Sequence, residues 1–394
     1  MIGLLSQGLD QCGSKYMAKL GILIRRKKIL GVLLCFSAFV ILWMTGCSKQ
    51  ETPAKEGILI GLSLDSIVVE RWQRELEILV ATVNELGAEI DVQIANEDIL
   101  KQSEQINYLI DRKVDVLIIV PNDARAFYDD ISRADKNGID VIAYDRLIMH
   151  PDVDLYVSFD NVEIGKGIAG RLMDELVRKD DSYLGTEEEG QDVEVVTSEN
   201  DKPYRLLIIN GDPKDNNSLL LNKGFYESIQ SYIDEGVIEI VDETWAIEWR
   251  EQYAKDLVEK HLTNGERIDG IIAANDVLAT GAIEILAKWR KAGDVLVVSQ
   301  DAELSACQRI VEKTQLATAY KPIYDLASTT AKVAVNMAKG EKIIANDTIY
   351  NDYDNIPYLK LDAYVVDFDN MESIIIESGF HRKEDIYRNI DTGK

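Results

Sequence analysis

The chain has 394 residues, 46% of them hydrophobic and 28% charged, which allows two domains or one very large one and excludes a chain disordered throughout. Its 43 basic residues face 69 acidic ones, a formal charge of −26, so it lacks the basic balance that general nucleic-acid binding needs. The four cysteines and three histidines have no clustered metal-ligand spacing, and no cofactor motif accompanies them.

The first segment reads as an address. Arg25-Arg26-Lys27-Lys28 is followed by a largely apolar run from Ile29 to Trp43, then Met44-Thr45-Gly46-Cys47 and a polar stretch. A basic region, an apolar region and small residues before a cut form a secretory signal. A cysteine directly after the small residue resembles a bacterial lipoprotein signal, in which the Cys47 thiol carries lipid and residues 1–46 are removed. The alternative is an uncleaved anchor, although the apolar run is short for a span of about 20 residues. Met17 is an alternative start. Residues 47–56 then form a polar tether. With Cys47 lipidated, Cys307 has no intramolecular partner, and core packing replaces a disulfide framework.

From residue 57 the pattern alternates. Ile58–Leu64 suits a buried strand, and Glu70–Leu86 places Trp72, Leu76, Leu79, Val80, Val83 and Leu86 at helical spacing before the stop at Gly87. Strand-like runs recur at 88–94, 114–120, 140–144, 155–159, 205–210, 237–241, 268–274, 295–299 and 316–320. Helical patterns lie between most of them, at 101–112, 125–136, 162–177, 217–233, 252–262, 277–289 and 304–312. Apolar strands alternating with helices predict α/β architecture with doubly wound parallel sheets. About ten strands exceed one comfortable open sheet, so two lobes are expected, with a first crossing near Ser158–Asn161. Residues 178–204 are acidic and poor in large apolar groups, which suits a solvated surface excursion or a partner-docking loop.

Ligands of such sheets bind beyond the carboxyl ends of the strands. Those ends carry Arg71 and Trp72; Asp145 and Arg146; Asp215 and Asn217; Trp245 and Trp249; Asn275 and Asp276; Gln300 and Asp301; and Lys321. Asp, Asn, Arg and Lys supply directional hydrogen bonds, and Trp supplies a flat apolar face. A sugar ring matches both, with hydroxyls on its rim and C–H patches on its faces. Taken singly, each residue also fits a helix cap, an ion pair or core packing.

The stretches GLSLDSIVVERWQRE, VDVLIIVPND, GIDVIAYDRLI, DLYVSFDN, GDPKDNN, IIAANDVLATGAIE, SQDAE and AYKPI, taken in order with the second Trp of WAIEW, closely resemble bacterial D-xylose-binding proteins of the ribose- and galactose-binding superfamily. The resemblance covers roughly residues 57–384. It implies the periplasmic-binding-protein type I fold, two lobes joined by a three-crossing hinge. The first lobe takes 57–160 plus 322–345, the second 161–321 plus 346–384, and 385–394 is a tail. It implies that Trp72 and Trp249 sandwich a pyranose, that Arg71 and Arg146 donate to its hydroxyls, and that Asp145 accepts or orients. Asp215, Asn217, Asn275, Asp301 and Lys321 complete the rim. Trp245 reads as packing support, and Asp145 and Asp276 fit helix caps equally well. The long excursion and Ile67-Val68-Val69 depart from the family pattern, and no calcium loop like that of galactose-binding relatives is present.

The resemblance implies an extracytoplasmic, lipid-anchored receptor that closes on D-xylose or a similar monosaccharide and delivers it to the membrane permease of an ABC importer. An alternative partner is a membrane sensor kinase. A glycosidase using Asp145 and Asp215 is a third reading. No GxSxG elbow, phosphate loop or HExxH helix supports an enzyme. A DNA-binding repressor of the same fold needs a helix-turn-helix where the secretory signal sits.

Overall fold

A computed structural model describes residues 57–68, 70–178 and 202–390. The secretory signal, Cys47, the polar tether and almost all of the acidic excursion lie outside the described residues. The first apolar runs become β1 (Leu59–Leu64), β2 (Glu89–Ile94), β3 (Val116–Val120), β4 (Asp140–Tyr144) and β5 (Leu155–Phe159). Helices α1 (Glu70–Glu85), α2 (Ile99–Asp111) and α3 (Tyr128–Lys136) link the first four of these strands. All five residues of β3 and of β5 are buried, which is why these strands read as unbroken apolar runs rather than as alternation.

The chain then crosses through α4 (Asn161–Arg178) to β6 (Tyr204–Asn210), α5 (Asn216–Asp234), β7 (Ile238–Trp245), α6 (Gln252–Thr263), β8 (Gly270–Ala273) and α7 (Asp276–Lys288). It continues as β9 (Leu296–Gln300), α8 (Leu304–Val311) and β10 (Ala317–Tyr320). A second passage leads to α9 (Ile323–Ala338), which packs on α1, and to β11 (Asp347–Tyr350) and β12 (Asn355–Leu361). The end of the described chain holds β13 (Tyr364–Val366), a π-helical turn (Glu372–Ile376) and α10 (Lys383–Ile386).

The strands form a seven-stranded sheet, β11-β12-β5-β4-β3-β1-β2, and a six-stranded sheet, β13-β10-β9-β8-β6-β7. The central order 2-1-3-4-5 recurs as 7-6-8-9-10, the same doubly wound topology twice. The repeat extends to side chains. Asp115, just before β3, accepts the Leu59 N–H at 2.7 Å, and Asp269, just before β8, accepts the Arg205 N–H at 2.7 Å. Each carboxylate ties the start of the central strand to its neighbour.

The return crossing differs from the expectation. The first lobe was expected to end near residue 345, but β11 and β12 pair within the first sheet, β12 parallel to β5. The chain therefore leaves that sheet only after Leu361 and enters the second at β13, antiparallel to β10. Among the described residues there are three passages between the sheets. Where the second half begins, α4 and α5 cross at backbone contact. A Cβ on Gly224 would lie 2.2 Å from the Val162 carbonyl oxygen, so only glycine allows the approach that seats α5 and its first turn.

Candidate functional site

The carboxyl ends of both sheets face one cavity of about 210 Å³. Every one of the ten residues expected at a ligand site lines it: Arg71, Trp72, Asp145, Arg146, Asp215, Asn217, Trp249, Asn275, Asp301 and Lys321. Trp245 does not line it. The topological switch points lie between β1 and β3 and between β6 and β8, and Asp65, Asn122, Asp212 and Asn275 follow those four strands.

Charge organises the walls. Arg71 is held by Glu75 one turn along α1 at 2.5 Å and by Asp145, with Asp301 at 3.9 Å. Arg146 spans Asp65 at 2.9 Å and Asp215 at 2.9 Å. Lys321 pairs with Asp301 at 2.6 Å. Arg71–Asp301 and Arg146–Asp215 join residues of opposite lobes, so the two halves touch across the cavity. Burial works against the Arg71 charge, but Asp145, Glu75 and Asp301 outweigh it and hold the guanidinium well above its usual range. Burial likewise opposes ionisation of Asp145, but Arg71, Lys321 and Arg146 together hold its carboxyl below the usual range. For Asp215 burial wins over Arg146, and its carboxyl is raised. Both guanidinium groups also lie near the Trp72 ring, Arg71 at 4.7 Å and Arg146 at 5.7 Å from its centroid.

Backbone strain concentrates here. Asp145, Glu248, Trp249, Asp301 and Ala302 all have positive φ without being glycine. Such conformations persist where surroundings over-determine them. Asp145 is pinned through its carbonyl oxygen, which accepts from Tyr156 Oη at 2.8 Å, Ser158 Oγ at 2.8 Å and Asn217 Nδ2 at 3.0 Å. Its carboxylate is thereby aimed at Arg71, so Asp145 is no helix cap. Asn217 comes from the first turn of α5, where Asp215 Oδ1 caps its N–H at 2.9 Å. Asn217 Oδ1 also accepts from Asn161 Nδ2 at 3.0 Å.

Trp249 ends a short 3-10 turn, Ile247–Trp249, and its ring lies on Gly211. A Cβ at Gly211 would sit 2.2 Å from Trp249 Cη2, so that glycine is the floor on which the indole rests. The buried Trp249 Nε1 donor and the Gln300 Oε1 acceptor have no hydrogen-bond partner among the described residues. Such orphans cost about 1–3 kcal/mol each unless something in the cavity meets them.

Sequence reasoning named Asp276 as a candidate helix cap, and the structure assigns that role to Asn275, whose Oδ1 accepts the Leu278 N–H at 2.9 Å. Asp276 is fully buried instead. Its carboxylate accepts from Ser299 Oγ, Thr318 Oγ at 3.0 Å, Gln315 Nε2 at 3.2 Å and the Glu303 N–H at 2.9 Å. Asp65, Asn122 and Gln300 also line the cavity but were not singled out as site residues. Asp65 directly follows the first apolar run and Asn122 closely follows the third, so the strand-end rule could have found both. Glu75 carried a signal too, since it lies four residues after Arg71 on one helix face.

Burial pushes the Asp276 carboxyl up to about 6. A folded-state pKa above the unfolded one means the folded chain holds the proton more tightly. Stability from this group is therefore full below about pH 4 and is lost as pH rises towards 6. Wild-type melting temperature should fall more steeply between pH 4.5 and 7 than that of Asp276→Asn, and identical slopes would contradict the assignment.

Two doubly wound lobes with a polar, tryptophan-lined cavity between them define a two-lobed binding protein that grips a small solute. Residues 60–342 match the family described as periplasmic binding protein domain, and the chain belongs to that family. It is a binding protein, not an enzyme, and the glycosidase reading is set aside with that assignment. Among curated relatives, the D-xylose-binding periplasmic protein of Haemophilus influenzae is 38% identical, over 83% of this chain and 92% of its own. That of Escherichia coli is 32% identical, over 91% of this chain and 100% of its own. A solved ABC-transporter solute-binding protein from Clostridium phytofermentans, with bound β-D-glucose, shares the fold at TM-score 0.71 and 23% identity, covering 83% of this chain and 99% of that one.

Proposed function

We propose that this chain is an extracytoplasmic receptor for D-xylose, tethered by lipid on Cys47, that delivers the sugar to the permease of an ABC importer. The observation that carries the reading is the convergence of ten strand-end residues, from both lobes, on one cavity. Its volume of about 210 Å³ equals roughly seven waters at about 30 Å³ each, room for one monosaccharide. The paired guanidinium and carboxylate groups present fixed donors and acceptors to a hydroxylated rim, and Trp72 and Trp249 present apolar faces to the ring. The curated relatives at 38% and 32% identity are named for D-xylose, which supports that sugar among the aldopyranoses.

The mechanism is closure. A sugar that touches Arg146 in one lobe and Asp215 or Trp249 in the other makes its full set of contacts only when the lobes meet. It therefore favours the closed form by its differential affinity, and the membrane partner reads that form. No bond in the sugar is made or broken. A thermal-shift screen over pentoses and hexoses tests the reading. D-xylose should give the largest rise in melting temperature, and no rise with any sugar would contradict it.

Gly211→Ala forces the Trp249 ring off its floor, and overpacking of this kind costs about 1–3 kcal/mol. Calorimetry should register the cost in D-xylose affinity, because the partly exposed ring moves more readily than the β6 backbone. Unchanged affinity would dissociate Trp249 from binding. Cys47→Ser should release the protein from the membrane fraction into the soluble one; retention would argue for an uncleaved anchor.

A further inference from the structure

Gln300 is the last residue of β9, with its backbone fixed by parallel pairing to β10 opposite Ala319. Its neighbour Ser299 is turned towards Asp276 and Gln315, receiving Gln315 Nε2 at 2.8 Å. Successive side chains on a strand point to opposite faces, and Gln300 accordingly lines the cavity. The residue is 3% exposed, and its Oε1 has no hydrogen-bond partner among the described residues. The other carboxamides of the cavity wall are engaged. Asn122 donates to Asp65 at 2.7 Å, Asn161 to Asn217 at 3.0 Å, Asn217 to Asp145, and Asn275 caps α7.

A buried carbonyl oxygen with no donor is rare in a folded protein, and the residue that carries this one lines the cavity. Trp249, whose indole N–H is also unpartnered, lines the same cavity. A hydroxyl can donate to such an acceptor. We propose that Gln300 is a ligand-contacting, specificity-determining residue, whose carbonyl oxygen accepts a hydrogen bond from one hydroxyl of the bound monosaccharide. This rests on the sugar reading above and deepens it. A sugar with hydrogen in place of that hydroxyl would leave the oxygen buried and unpaired, so the site rejects it.

The test pairs residue with ligand. D-xylose and its monodeoxy analogues are titrated calorimetrically into wild-type protein, Gln300→Leu and Gln300→Met, and each ligand-free protein is melted. Wild-type should disfavour each analogue by about tenfold or more. In the Leu variant one analogue should bind as well as D-xylose while the other preferences persist. Ligand-free melting should stay level or rise, because a buried orphan has been removed. Loss of D-xylose affinity with loss of ligand-free stability would mark a structural role, and unchanged preferences in both variants would also overturn the inference. The Met variant carries the comparison if the Leu variant does not fold. Wild-type protein that ignores D-xylose would overturn the sugar reading, and this inference with it.

Discussion

Trp249→Ala should weaken D-xylose binding by at least about 2 kcal/mol, the scale of a hot-spot aromatic, or roughly thirtyfold. Trp249 sits in a turn where it and Glu248 both take positive φ, a conformation that costs free energy in any non-glycine residue. The turn is held by the Glu248 N–H on Asp212 Oδ2 at 2.6 Å and the Trp249 N–H on the Ala246 carbonyl at 2.9 Å. The indole so displayed keeps its own N–H unpaired and rests on a residue without a side chain. A ring placed purely for packing would gain little from this arrangement, whereas one placed to stack on a ligand gains from it. The ligand-free melting temperature should change little. Near-native affinity in calorimetry would contradict the stacking role.

Arg71→Met should destabilise the protein by about 3–5 kcal/mol at neutral pH, because it leaves buried carboxylates without their cation. Glu75 and Asp145 have side-chain exposures of 1% and 5%, and both lean on this guanidinium. Tyr144 donates to Glu75 but cannot neutralise it. The pH dependence gives the sign. In wild-type the Asp145 carboxyl is held low, so its contribution to stability is present above the ordinary carboxyl range and lost as pH falls through the folded value. In the variant, burial acts without opposition from Arg71, the two carboxyls rise, and protonation relieves the unpaired charge. The stability gap between wild-type and variant should therefore narrow from pH 7.5 to pH 5. Urea unfolding at both values measures it. A gap below about 1 kcal/mol at pH 7.5 would instead resemble a surface pair.

The fold was legible where burial wrote it into the chain. Strands covered on both faces, such as Val116–Val120, appear as unbroken apolar runs. The late strands were not legible. Asp347–Tyr350 is mostly exposed and carries no apolar signature, and Tyr364–Val366 is apolar but only three residues long. The bound at residue 345 is implied by the resemblance, and no strand signal in this stretch moves it past Leu361. Helix α9 went unread because its buried face is built largely from Ala, Ser and Thr. The positions that line the cavity were legible because strand ends in a doubly wound sheet converge whatever their separation in sequence. Which groups pair was not. The contact between Arg146 and Asp215 spans two lobes, and the left-handed turn at Asp145 depends on three donors that come from β5 and α5.

A crystal structure of the protein grown with D-xylose would locate the sugar outright. One pyranose should lie in the cavity between the indoles of Trp72 and Trp249, with hydroxyls within hydrogen-bond reach of residues from both lobes. Sugar density elsewhere, or a cavity holding only water at saturating sugar, would contradict it.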